Sequence, residues 1–111
     1  MKSTEGYVYL ICDPLNDRYK IGVTKGKVNK RMLKLQTGNS TELHIICQYK
    51  TEFPFRMEKM LHLKYDQYRV HGEWFDLPDN DIIHFEEVCK DIEFKINTLK
   101  DNPFFSKGLR E

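Results

Sequence analysis

The chain has 111 residues, 40% of them hydrophobic and 32% charged, with a formal net charge of +1. That length buries a core without disulfide staples. No apolar stretch approaches the ~20 residues of a membrane span. The first residues lack a secretory signal's apolar centre, and Cys12, Cys47 and Cys89 form no Cys-x-x-Cys pair for a zinc knuckle or disulfide framework. These features predict a soluble, intracellular protein with reduced thiols and no membrane partner, one domain over residues 1–100 followed by a C-terminal tail, 101–111, and a monomer or weak homodimer.

Gly6–Cys12 is a β-branched and aromatic run and predicts a strand. Asp13–Asp17 has turn chemistry: Pro14 presets φ, and Asn16 and Asp17 tolerate a left-handed backbone. Arg18–Val23 is then the partner strand of a hairpin. After a short loop through Gly26, the helical spacing of Val28, Met32 and Leu35 predicts a helix over 28–36, with Gly38 placed to end it. Glu42–Lys50 predicts a third strand. Pro54 suits the first turn of a helix running to about Tyr68. Gly72 and Pro78 bracket a short extended piece, Glu73–Leu77. A final helix is expected over 81–99, with apolar positions Ile82, Ile83, Phe85, Val88, Ile92, Phe94 and Ile96. Phe104 and Phe105 of the tail are apolar enough to dock on the body. The order β-β-α-β-α-α gives an α+β fold: a small, largely antiparallel three-stranded sheet flanked by helices.

Charge is polarised along the chain. Arg18, Lys20, Lys25, Lys27, Lys30, Arg31 and Lys34 occur before Thr41 with no acid among them, whereas Glu73–Glu93 holds acids against one lysine, Lys90. Such a chain offers one face to phosphate and another that repels it, unless these are merely two solvated helix faces of opposite sign. Strand alternation puts Tyr7, Tyr9 and Ile11 on one face and Val8, Leu10 and Cys12 on the other. On the partner strand Lys20 projects away from Ile21 and Val23, beside Gly22, which leaves space for a ligand. On the 54–68 helix, the stripe Phe55, Glu58, Leu61/His62, Tyr65 is apolar or aromatic except at Glu58 and His62. A carboxylate there either binds a metal or makes a local i, i+4 contact with His62.

These residues resemble the GIY-YIG endonuclease superfamily, particularly its compact phage- and virus-associated branch, from Gly6 to Leu77. Tyr7-Val8-Tyr9 corresponds to the first motif and Lys20-Ile21-Gly22 to the second. Arg31 corresponds to the motif arginine and Glu58 to the helix glutamate. The segments Tyr19–Gly22, Leu35–Gly38 and Gly72–Phe75 match the branch. The sequence departs from the pattern in five places. Tyr7 replaces the first glycine, and Lys20 the second motif's tyrosine. Leu35 stands where a histidine is frequent, and an asparagine used by some members has no counterpart. One extra residue between Gly22 and Arg31 makes Lys30 a second candidate for the arginine's place.

The resemblance implies metal-dependent hydrolysis of phosphodiester bonds in DNA. Tyr9 would be the general base, Arg31 would stabilise charge on the phosphate, and Glu58 would hold Mg²⁺ (or Mn²⁺). A tyrosine acting as base near neutral pH needs a nearby cation, and Lys20 on the adjacent strand is the candidate. Lys25, Lys27, Lys30 and Lys34 would position the DNA backbone. Glu73 and a buried Trp74 are expected to close the core beside the site, with Glu73 at most supporting it. Tyr49, Tyr68 and His71 could touch substrate but suit packing or surface better. The departures motivate an alternative, a catalytically impaired DNA-binding module of the same fold. A protein-interaction adaptor working through the acidic final helix is a third reading.

Overall fold

A computed structural model describes residues 5–39 and 41–99; the tail 101–111, with Phe104 and Phe105, lies outside the described residues. Strands β1 (Gly6–Asp13) and β2 (Arg18–Thr24) form the expected antiparallel hairpin. Its turn is built as the residue types require. The Asp13 carboxylate accepts the backbone N–H of Asn16 (3.3 Å) and its side-chain amide (2.8 Å), while Asp17 takes a positive φ of 54°. Strand β3 (His44–Thr51) pairs with the other edge of β1.

The sheet has five strands rather than three, all antiparallel, in the order β3-β1-β2-β5-β4. The additional strands are β4 (Arg69–His71) and β5 (Trp74–Phe75), which turn through Gly72 at φ 53°. At three and two residues they are too short to show alternation, so pairing onto β2 defines them rather than local pattern.

Both faces of the sheet are covered. One carries Val8, Leu10 and Ile21 against Met57, Leu61, Tyr65, Phe85, Cys89, Ile92 and Ile96 of the later helices. The other carries Tyr9 and Ile11 against Val28 and Leu43, with Tyr7, Met32, Leu35, Ile45 and Trp74 at its margin. A register shift at Leu10/Ile11 places Ile45 opposite Ile11 but Cys47 opposite Leu10, so Ile46 is the extra residue of a bulge. Ile45 and Cys47 therefore serve opposite cores, which unbroken alternation would forbid.

Helix α1 (Val28–Thr37) ends at Gly38 as its sequence suggests. Helix α2 (Pro54–Lys64) stops a turn earlier than expected and passes into a 3-10 turn, Asp66–Tyr68. Its core stripe is Pro54, Met57, Leu61 and Tyr65, while Phe55 is exposed. Glu58 and His62 occupy the flank of that stripe, not its centre. The final helical segment is divided into α3 (Asp79–Ile83) and α4 (Phe85–Leu99). His84 caps α3, its Nδ1 against the Asn80 carbonyl oxygen (2.8 Å). The division turns Phe85 into the core and leaves Ile83 and Phe94 in solvent, against the expectation for those two positions.

Candidate functional site

Tyr9 is fully buried on the α1 face, opposite Gly22 in the β1–β2 register. Its ring lies directly on that glycine: a Cβ at Gly22 would stand 2.4 Å from the Tyr9 hydroxyl. The space beside Gly22 therefore belongs to Tyr9, not to a ligand. Arg31, early on α1, brings its Nε to 3.4 Å from the Tyr9 hydroxyl, and that contact raises the guanidinium pKa further. Arg31, rather than Lys30, thus occupies the position beside Tyr9.

Lys20 is buried on the same face of β2, level with Ile11 and Trp74. Its ammonium lies 5.6 Å from the centre of the Trp74 ring and donates to Glu73 Oε1 at 2.9 Å. Burying an ammonium requires such a partner, so the carboxylate of Glu73 is its counter-ion. Trp74 is half-buried rather than fully enclosed.

Glu58 and His62 approach the same place from α2. His62 Nε2 lies 2.9 Å from the carbonyl oxygen of Ile21, just where the β2–β5 pairing ends. A carbonyl only accepts, so this nitrogen carries the proton and donates. The same atom is 4.0 Å from Glu58 Oε2, too long for the local hydrogen bond that their spacing suggests. The His62 ring instead meets Phe75 edge-on, centroids 5.2 Å apart.

Burial pushes the Glu58 carboxyl up to about 7, and the neighbouring Glu73 carboxylate adds to the shift, while Lys20 opposes it. For Glu73, burial also works against ionisation. Hydrogen bonding and charge from Lys20 outweigh it, with help from Glu58, and hold its carboxyl below the usual range. Of the two carboxyls, Glu58 is therefore the one that keeps its proton to higher pH, donated towards Glu73. Glu58, His62 and Glu73 each present a ligand atom, all within 4.8 Å of one another. Two carboxylate oxygens suit a hard divalent cation that keeps most of its waters. With Nε2 engaged at Ile21, His62 serves better to orient the site than to ligate through that nitrogen.

Beside Arg31, a cavity of about 380 Å³ is lined by Val23, Thr24, Gly26, Lys27, Lys30, Arg31 and Lys34. Three of the four lysines read from the sequence thus gather around it, while Lys25 is exposed and outside its lining. Arg31 belongs both to this basic cavity and to the Tyr9 contact. Tyr49 is a packing residue, its hydroxyl donating to Glu93 at 2.6 Å, and Tyr68 packs on the core. His71 is exposed on a separate polar cavity with Asp13, Asn16 and Arg18. Leu35 packs beside the Val28 core.

The T5orf172 domain model matches residues 6–94, most of the chain. The chain belongs to the T5orf172 domain family. This is a phage-associated family related to nuclease-like folds, and its associations are with nuclease and DNA-binding roles. The match to the T5orf172 domain covers every residue of the cluster described above, from Tyr9 to Glu73. No curated protein and no solved structure matches the chain. No helix among the described residues is long and apolar enough to cross a membrane.

Glu73 and His62 are the members of the cluster that sequence reasoning undervalued. Glu73 sits beside Trp74 in a segment read as core closure, and nothing local reveals its pairing with Lys20, 53 positions away. The Glu58–His62 spacing was visible, but its purpose at the Ile21 carbonyl depends on where α2 docks.

Proposed function

We propose that the protein is a metal-dependent DNA endonuclease of GIY-YIG type. The observation that carries this reading is the convergence at Gly22. Tyr9 and Arg31 meet over it on one face, and Lys20, Glu73, Glu58 and His62 gather beside it. A cavity lined by four cationic side chains opens next to Arg31.

In this reading Lys27, Lys30 and Lys34 hold the phosphate backbone, and Arg31 neutralises charge building on the reacting phosphate. Tyr9, after releasing its hydroxyl proton to solvent, accepts the proton of the attacking water as the phenolate, with Arg31 beside it as the neighbouring cation. Glu58 and Glu73 hold Mg²⁺ (or Mn²⁺), with Glu58 losing its proton first, and Lys20 keeps Glu73 ionised and in place. Held by Glu58 and Glu73, such a cation would supply polarisation of the phosphate and charge for the leaving oxygen.

One observation favours a second reading, a DNA-binding module without chemistry: Tyr9 has no exposed surface, whereas a general base must reach water. Supercoiled plasmid incubated with Mg²⁺ or Mn²⁺ separates the two. The nuclease reading expects nicking that EDTA and Glu58→Gln both abolish and that Tyr9→Phe lowers by about 10²–10⁴-fold. Gel-shift binding without nicking, unchanged in Glu58→Gln, would establish the binding module instead.

A further inference from the structure

Sharing Lys27 with the basic cavity, a second cleft of about 260 Å³ is lined by Tyr7, Lys27, Val28, Asn29 and Gln48. The geometry points to this cleft as a nucleobase subsite: it would take one unpaired base of the DNA strand whose phosphates occupy the basic cavity. The inference rests on the nuclease or DNA-binding reading of the basic cavity and adds to it a substrate class, DNA with an unstacked nucleotide beside the reacting phosphate.

Three observations carry it. First, the lining has the chemistry of base recognition. Tyr7 is half-buried and packed against the Val28 core, which fixes its ring as a platform. The side chains of Asn29 and Gln48 are exposed, and their amides have no hydrogen-bond partner among the described residues. An amide offers both donor and acceptor and matches a base edge, while an aromatic face stacks on any base.

Second, no acidic side chain lines either cavity, and Lys27 belongs to both. A nucleotide can thus place its phosphate on one side of Lys27 and its base on the other without crossing a repulsive surface.

Third, the cleft adjoins Tyr9. Tyr7 is two residues before it on the same face of β1, about 7 Å along the strand. Gln48 is the residue of β3 directly opposite it. A base held there belongs to a nucleotide within reach of Tyr9 and Arg31. In an intact duplex that base would have to leave the stack, which costs least where it is already unpaired.

The test is equilibrium binding by fluorescence anisotropy with EDTA present, so that no strand is cut. The probes are three dye-labelled DNAs of one sequence: a full duplex, the duplex with one unpaired nucleotide in its centre, and that DNA with the unpaired nucleotide made abasic. The wild-type chain should bind the unpaired-base DNA roughly tenfold more tightly than either of the others. Tyr7→Ala should remove that preference and Tyr7→Phe should keep it. The Asn29→Ala/Gln48→Ala double variant changes two exposed residues and leaves the core intact, and it should reduce the preference at least severalfold. Lys34→Ala should weaken all three DNAs alike. Equal affinity for the three DNAs, or a preference unaltered by both Tyr7→Ala and the double variant, would overturn the subsite while leaving Glu58-dependent nicking unaffected. Absence of binding to all three would overturn the subsite and the DNA reading together.

Discussion

Replacing Glu58 by glutamine keeps the shape of the protonated side chain and its ability to donate towards Glu73, but removes the capacity to ionise. In the wild-type chain the Glu58 carboxyl is raised from 4.5 to about 7 in the fold. The unfolded chain ionises near the lower value. The favourable contribution is therefore complete below about pH 4.5 and is lost as pH rises through about 7, because the fold resists the charge that the unfolded chain accepts. At 1.36 kcal/mol per unit this amounts to on the order of 3 kcal/mol, an upper figure because the proton is shared with Glu73. The side chain is 18% exposed, so solvent screening takes away little.

Glu58→Gln should thus match the wild type in stability near pH ~4.5 and exceed it increasingly up to about pH 9, by up to about 3 kcal/mol, or roughly 10 °C in midpoint. Urea titrations of both chains in EDTA across that range give the difference directly, with the coupled titration of Glu73 included in it. A difference that stays constant with pH would refute the reasoning. So would a variant less stable than wild type near pH ~9, because either result means that burial does not penalise the ionised carboxylate.

Other substitutions test other parts of the structure. Gly22→Ala forces a Cβ against the ring of a tyrosine that cannot swing away, and should cost about 1–3 kcal/mol in a denaturant titration. Tyr65 carries a buried hydroxyl without a hydrogen-bond partner and a phenol pushed up to about 12, chiefly by burial. Tyr65→Phe should therefore be neutral or stabilising by about 1 kcal/mol in thermal melts. Lys30→Ala and Lys34→Ala should each lower the slope of log affinity against log salt by about one, while Lys25→Ala, outside the cavity lining, should leave it nearly unchanged.

The hairpin and its two faces were legible because alternation survives in β1 and β2, where Tyr9 and Lys20 stand among regular neighbours. In β3 the bulge at Ile46 interrupts alternation, so the sequence gives no sign that Ile45 and Cys47 serve different cores. β4 and β5 exist through pairing with β2, and the break at His84 follows from Phe85 seeking the core; neither has a local signature. In the site, Arg31 and Glu58 could be found from motif spacing. The pairing of Lys20 with Glu73 could not, since the partner lies on a strand too short to identify. Glycine at position 22 was read as room for a ligand because sequence alone does not show which neighbouring ring will fill the gap.

The division of the site between two helices, α1 and α2, has its own consequence. Tyr9 packs beside α1, which itself carries Arg31, whereas Glu58 and His62 are carried by α2. Residues that share no packing partners contribute independently. Substitutions in the two halves should therefore add in their effect on folding, with Gly22 and the Lys20–Glu73 pair as the places where they couple. On the proposed reading, a lineage could then erode the half that would hold a metal without loosening the half that would hold phosphate, so that cutting and holding would be separable traits of a single small fold.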